Sequence, residues 1–410
     1  LLLDDLATSK TKRCLQFDIS NAFVCAPIRF KPGAKTQRIV CSLPDSFGGG
    51  LVVLRKALYG LRQAPRLWNI EMRSTLVEKL GFKQSPLDPG LFTRGGVSLA
   101  LYVDDGLLIG EPDEIQKAQD EILAVYEGRV EKVEKTSSGE KFTFLGLEIE
   151  HNTRENIVEI HQGAMIDRLA EKFGEIAAKH PRTPMEHPLT NFGKKAVDFP
   201  YRSIVGSLLF LASMTRPDLS FALKEVSRFL EEPGESAVQA VRRLLGYVFR
   251  TKELKLRLGC KAQARYLGSK YSEGDWHLFA DADFAAEKPG RRSTTGYVIY
   301  RGGSLVSWKS SVQKSVSCST TEAEAKALFA GVRELRWLRR LAGELPGGRD
   351  IRAGPAVAWC ANASAPFLVA QASDAPPGRA KHFDVNLCYL TEQVEGGLCS
   401  LKKRLNPNST

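Results

Sequence analysis

The chain sets two acids side by side, Asp104 and Asp105, inside an otherwise apolar run, LALYVDDGLLIG. Uncompensated carboxylates buried there would cost several kcal/mol and repel one another, so a cation is expected beside them. A third acid, Asp18, lies in the strand-like CLQFDIS far upstream, and only the fold can bring it to the pair. Carboxylates are hard oxygen donors. Three of them, from a strand and a hairpin turn, could hold two Mg²⁺ ions about 4 Å apart, the arrangement that stabilises the attacking and leaving oxygens of a phosphoryl transfer. The alternative is a polar turn, which Asp also favours. Further on, ADADFA puts Asp281 and Asp283 at alternate positions, hence on one face of a strand.

The elements that must position these groups follow from periodicity. Residues 97–110 read as a hairpin of two apolar strands with Asp104 and Asp105 at its turn. Residues 64–80 have helical spacing (Leu67, Ile70, Leu76, Leu80) ended by Gly81. A helix in EIQKAQDEILAVYEG is followed by strands in FTFLGLEIE and NIVEIHQ, a succession that suggests an α+β unit. The pattern turns helical from about Gly163 to Thr251, interrupted by the Pro-rich, polar KHPRTPMEHPLTNFGKKAVDFP, which suits a linker. A third block supplies WHLFADADFA, a hairpin with a Gly-Gly turn, and the helix TTEAEAKALFAGVRELRWLRRLA, which suggests a compact α/β unit.

With 410 residues, 43% of them apolar, the chain can build two or three cores. The net charge of +11, with basic residues beside aromatics in RKALYGLRQAPRLW and RELRWLRR, fits either a polyanionic partner or a solvated basic surface. Eight cysteines without a CxxC pair and six unclustered histidines argue against a zinc site or a disulfide framework. They favour a reducing compartment. The longest apolar run falls short of the ~20 residues that cross a bilayer, so no membrane partner is expected. The opening LLLDDLATSKTKRC reads like entry midway through a helix, so a fragment of a longer chain is expected.

Several stretches, in order, resemble the Pol polyprotein of Copia-type LTR retrotransposons: LQFDISNAF, KALYGLRQAPRLW, LYVDDGLLIG, FLGLEIE, YRSIVGSLLFLASMTRPDLSFALKEVSRF and SWKSSVQKSVSCSTTEAEAKAL. The resemblance implies a multidomain α+β and α/β chain. Its parts would be a reverse-transcriptase palm and thumb over residues 1–175 without the fingers segment, a linker and helical connection over 176–269, and a ribonuclease H-like domain over 270–410. It implies Asp18, Asp104 and Asp105 as metal-binding acids, with Tyr102 near the primer end. Tyr59, Gly60 and Gln63 fall in the loop that shapes the nucleotide and template site, and Phe144, Leu145 and Gly146 in a primer-positioning strand. Trp68 and Trp337 are candidates for stacking on bases or for core packing. In the last domain it implies Asp281, Glu324 and Asp384 as metal-binding acids, with Glu322 an outward neighbour and His382 without a catalytic role.

One acid of that set is missing. The family's DNQSAI reads ANASAP here, so Ala361 stands where a metal-bridging aspartate belongs and Pro366 disturbs the following helix. Strand cleavage is expected to be severely impaired while hybrid binding survives. APIRFKPGAKTQRIVCSLPDSF also departs from the family pattern. The expectation is therefore an RNA-directed DNA polymerase fragment using Mg²⁺ or Mn²⁺, an RNA template, a DNA primer, the RNA/DNA hybrid and deoxynucleotides. The rivals are a catalytically inactive nucleic-acid-binding remnant and, less well matched to LYGLRQAP and FLGLEIE, a lone metal-dependent phosphohydrolase. The family also implies cytoplasmic particles and the nucleus as locations, while oligomeric state stays open.

Overall fold

The computed structural model describes residues 1–28, 38–179, 181–189, 199–259, 275–287, 290–347, 354–360, 369 and 381–403. Within them the chain is a mixed α/β assembly with three larger sheets, and a two-stranded ribbon formed by Val40–Ser42 and Leu51–Val53.

The first sheet carries the paired acids. Its strands in chain order are β1 (Arg13–Ile19), β2 (Lys83–Gln84), β3 (Leu91–Arg94), β4 (Val97–Tyr102), β5 (Asp105–Gly110) and β6 (Gly128–Glu131), arranged 2-3-4-5-1-6 in space. Helices α1 (Ala64–Ser74) and α2 (Pro112–Val125) cover one face. There Phe17, Ile19, Trp68, Met72, Leu76, Phe92, Leu99, Leu108 and Ile122 form a closed core. The helix expected over 64–80 ends in a widened π turn, Thr75–Lys79. Gly81 at φ +70° then accepts the left-handed bend that stops it.

The opposite face is buried as well. Cys14, Leu107 and Ile109 pack against Phe142, Ile149, Val158, Leu256 and Leu258 of a second sheet. That sheet contains β7 (Glu134–Lys135), β8 (Gly139–Phe144), β9 (Leu147–Asn152), β10 (Ile157–His161) and β11 (Leu256–Leu258), in the order 11-10-9-8-7. The strand expected through FTFLGLEIE is thus two strands, β8 and β9. A tight turn of Leu145 (φ 50°) and Gly146 (φ 76°) joins them, because two successive positive φ values reverse the chain within two residues. Open space surrounds Gly146 where a Cβ would stand, so its role is conformational rather than to allow close approach.

Between β10 and β11 the chain makes helices α3 (Gly163–Phe173), α4 (Tyr201–Met214), α5 (Ser220–Ser227) and α6 (Glu235–Arg250) around their own core. Arg216, fully buried, anchors this unit. It grips Asp218 with two nitrogens at 3.0 and 2.8 Å and donates to the Thr251 hydroxyl at 2.7 Å. Bidentate pairing offsets the desolvation of the guanidinium.

A third sheet contains β12 (Trp276–Asp283), β13 (Thr294–Arg301), β14 (Ser304–Val312), β15 (Ala356–Cys360) and β16 (Cys399–Lys403), ordered 14-13-12-15-16. The first three pair antiparallel, whereas β15 runs parallel to β12 and β16. The long helix α7 (Thr320–Gly343) packs on one face, and α8 (Lys381–Glu395) packs beside it. Polar ties hold this unit to the others: Trp308 donates to the Ala212 carbonyl at 2.8 Å, Arg301 meets Asp4 at 3.0 Å, and Arg228 lies 3.7 Å from Glu287.

Candidate active sites

Asp18 on β1 is the direct cross-strand partner of Asp105 on β5, which places their Cα atoms about 5 Å apart. The reversal between β4 and β5 consists of Val103 and Asp104, since Tyr102 pairs with Asp105. Only Asp104 therefore occupies the turn, and Asp105 opens the strand. The sequence expectation had both acids at the turn.

Three contacts fix that turn. Ile19 N–H donates to the Asp104 carbonyl at 3.0 Å, and Trp68 Nε1–H donates to the Val103 carbonyl at 2.6 Å. Gly106 lies against the Phe17 ring, where a Cβ would come within 2.1 Å of Cζ. Val103 itself sits at φ 60°, a conformation costly for a β-branched residue. Neither the tryptophan bond nor the glycine contact is visible in the motif, because both partners are distant in sequence. Trp68 is 2% exposed and stacks edge-on against Tyr126, which settles it as a core residue rather than a base platform.

Burial first, then the charges of Asp104 and Asp18, raise the Asp105 carboxyl above the usual carboxylate range. The cation beside the cluster is Arg129, which the sequence reading did not single out; its Nε lies 3.3 Å from Asp18 Oδ2 and 2.7 Å from Glu131 Oε1. Arg129 is well exposed, so water screens most of its effect. Among the described residues, no three His, Cys, Asp or Glu side chains converge as a metal-ligand set.

Tyr102 projects from the turn with 62% of its surface exposed. It lines a cavity of about 310 Å³ together with Pro65, Asn69 and Asp88. A larger cavity, about 580 Å³, joins Tyr102 to Phe144 and Leu145 and to Trp337 of the third unit. The structure thus brings Tyr102 and the β8–β9 turn together. Tyr59, exposed, leans on Phe23 at 4.9 Å; Gly60 takes φ +92°, and Gln63 stands exposed before α1. These three line neither cavity.

In the third sheet Asp281 is exposed on β12, and Glu324 is buried in the second turn of α7. Burial and the neighbouring Asp281 push the Glu324 carboxyl up to about 7. Cys360 at the end of β15 donates a weak S–H bond to Glu324 Oε2 at 3.6 Å. Glu322 does different work. Its N–H is capped by Ser319 at 3.1 Å, and its carboxylate accepts from Cys318 N–H at 2.8 Å and pairs with Lys326. The helix thereby turns Glu322 outward and Glu324 toward Asp281. Asp384 falls on α8, but its side chain, like that of His382, lies outside the described residues, as do Ala361 and Pro366.

Residues 1–187 match the family model described as reverse transcriptase (RNA-dependent DNA polymerase). The Retrovirus-related Pol polyprotein from transposon RE1 of Arabidopsis thaliana is 33% identical over 396 residues, covering 93% of this chain and 25% of the relative. The corresponding polyprotein from transposon TNT 1-94 of Nicotiana tabacum is 30% identical, covering 98% of this chain and 30% of the relative. A putative transposon Ty5-1 protein of Saccharomyces cerevisiae is 30% identical over 324 residues, covering 75% of this chain and 96% of the relative. The chain belongs to the Copia-type retrotransposon Pol family.

This Copia-type Pol chain spans about a quarter of the length of the RE1 relative, and its first 187 residues are a reverse-transcriptase region. Among solved structures, the ribonuclease H LC11-RNase H1 is 13% identical with a TM-score of 0.23, covering 33% of this chain and 86% of that one. No helix among the described residues is long and apolar enough to cross a membrane.

Proposed function

We propose that the chain performs template-directed nucleotidyl transfer: the first sheet extends a DNA primer on an RNA template, and the third unit retains binding of the RNA/DNA hybrid with impaired cleavage. The carrying observation is the register of Asp18 against Asp105, with Asp104 adjoining both. Each backbone is pinned, so side-chain rotation alone would draw three carboxylates around a divalent ion.

The donor chemistry fits Mg²⁺. Burial first, and then the charges of Asp104 and Asp18, hold the Asp105 carboxyl up, and a cation among the three would offset both penalties. Asp18, Asp104 and Asp105 would hold the ions, which when bound supply charge neutralisation for the displaced phosphate oxygens. The chain's own residues supply position. Ile19 and Trp68 fix the two peptides of the turn, so the carboxylates do not have to be ordered at the moment of reaction. Tyr102 offers an exposed ring beside the acids for the primer end, and Leu145 stands across the larger cavity as a second contact.

In the third unit, Asp281 and Glu324 would be two members of an acid set whose remaining positions are Asp384 and Ala361. Alanine brings no oxygen ligand, which supports binding without efficient strand hydrolysis.

A second reading, a nucleic-acid-binding remnant without turnover, draws support from Ala361 and from the Arg129 ion pair on Asp18. Mg²⁺-dependent extension of oligo-dT on poly-rA separates the two. Extension by the native chain that is lost in the D104N/D105N variant supports polymerisation. Salt-sensitive hybrid binding without extension in either protein supports the remnant.

A further inference from the structure

The outer face of α7 carries Arg333, Arg336, Trp337 and Arg340, all exposed. Their spacing of three, four and seven residues aligns them on one stripe, with neighbours 5–6 Å apart at Cβ. Several other arginines are tied to carboxylates, among them Arg94 to Glu121, Arg216 to Asp218, Arg292 to Glu287 and Arg301 to Asp4. Among the described residues none of Arg333, Arg336 and Arg340 has such a partner; Arg333 rests on the Phe329 ring at 5.6 Å. Glu334, the acid within the stripe's span, is turned aside to Ser307.

Trp337 connects this stripe to the first site. It is 39% exposed, its Nε1–H points at the Leu87 carbonyl 3.5 Å away, and its ring lines the same 580 Å³ cavity as Tyr102. An exposed indole in an apolar groove, flanked by unpaired guanidiniums, matches what an unpaired strand requires: a face for a base to stack on and cations for successive phosphates. A duplex hides its base faces and would leave the indole unused. The helix also buries Glu324 on its opposite side, so the stripe faces away from the Asp281 site.

We infer that the Arg333–Arg340 face of α7, with Trp337, binds a single-stranded segment of the template beside the paired-acid turn. The inference rests on the nucleic-acid reading proposed above and adds the strand type and the residues that hold it.

The test is a salt titration of binding by fluorescence anisotropy, using a 20-nucleotide oligo-rA and a blunt 20-base-pair RNA/DNA hybrid as probes. For the single strand, the R333A/R336A/R340A variant should flatten log K against log salt by about 2, at about 0.7 per lost phosphate contact. W337A should weaken single-strand binding roughly tenfold at fixed salt, W337F should keep most of it, and the hybrid should be bound as before by every variant. The triple lysine variant, with matching circular dichroism melts, separates lost cations from lost folding by restoring the slope. An unchanged slope, or equal losses on single strand and hybrid, overturns the inference while leaving the parent reading intact. If the native chain binds neither probe, both fall.

Discussion

The indole of Trp68 donates to the carbonyl of Val103 at 2.6 Å, so a buried helix residue holds the peptide that separates Tyr102 from the paired acids. This bond is a direct link from the core to the turn that carries Asp104. Trp68→Phe keeps most of the apolar contact and removes only the donor. The expected cost is about 1 kcal/mol of stability, with a larger effect on turnover because the turn loses its fixed orientation. Urea unfolding set beside single-turnover primer extension checks this; equal, small losses in both would show that Trp68 only packs.

Stability should depend on pH through Glu324. Its carboxyl is held at about 7 against an ordinary 4.5, so the folded chain keeps a proton that the unfolded chain has released. Stability from this group is fully present below pH 4.5 and lost as pH rises toward 7. His277, lowered by burial to about 4, acts oppositely, since stability falls as pH drops from 6.5 toward 4. Glu324→Gln removes the first effect alone. Denaturation at pH 4.5, 6 and 8 should show the variant gaining on the native chain as pH rises, and Mg²⁺ at pH 8 should narrow that gap. A constant gap would rule out the raised carboxyl.

An ion pair and a hydrogen bond join α5 and the residue after it to the third unit. Lys224 and Glu225 meet at 2.5 Å, Lys224 also reaches Thr294, and Glu287 receives both Arg292 and Arg228. Glu287→Ala removes that tie while Arg228 keeps Glu225 at 3.2 Å, and should cost about 1 kcal/mol. Because the lost tie is between units, a single unfolding transition should split in two as the third unit melts first. Calorimetry would detect the split.

The proposed loss of an acid ligand at residue 361 allows a gain-of-function test. Ala361→Asp should give Mg²⁺-dependent cleavage of the RNA strand in a hybrid, where the native chain shows little, if Asp281, Glu324 and Asp384 are otherwise competent. A gel assay with 5′-labelled RNA measures it. No gain would count against the proposed role of position 361.

The sequence announced the acids and most of the elements around them. Two apolar runs made the strands of the YVDD hairpin legible, Gly81 marked the end of the preceding helix, and the resemblance of TTEAEAKAL to the family motif pointed to Glu324 over Glu322. It was silent where a long-range contact overrides local preference. Nothing in Val103 favours positive φ; the bonds from Trp68 and Ile19 impose it, and so decide that Asp105 belongs to the strand. The turn at Leu145 is similar, since leucine gives no turn signal and FLG within an alternating run reads as strand. Arg129 escaped notice because its partner, Asp18, is brought to it only by the pairing of β1 with β6.

The return of the chain to its own second sheet has a practical consequence. Leu256–Leu258 pairs with Val158–Ile160 only after the whole helical unit has been made. A polypeptide cut after residue 187, where the reverse-transcriptase match ends, would therefore keep Ile157–His161 as a bare edge. Its free amides and carbonyls, with apolar Val158 and Ile160, would recruit the same edge of another copy. Such a truncated polypeptide should be prone to self-association through that edge even if its acid site were intact.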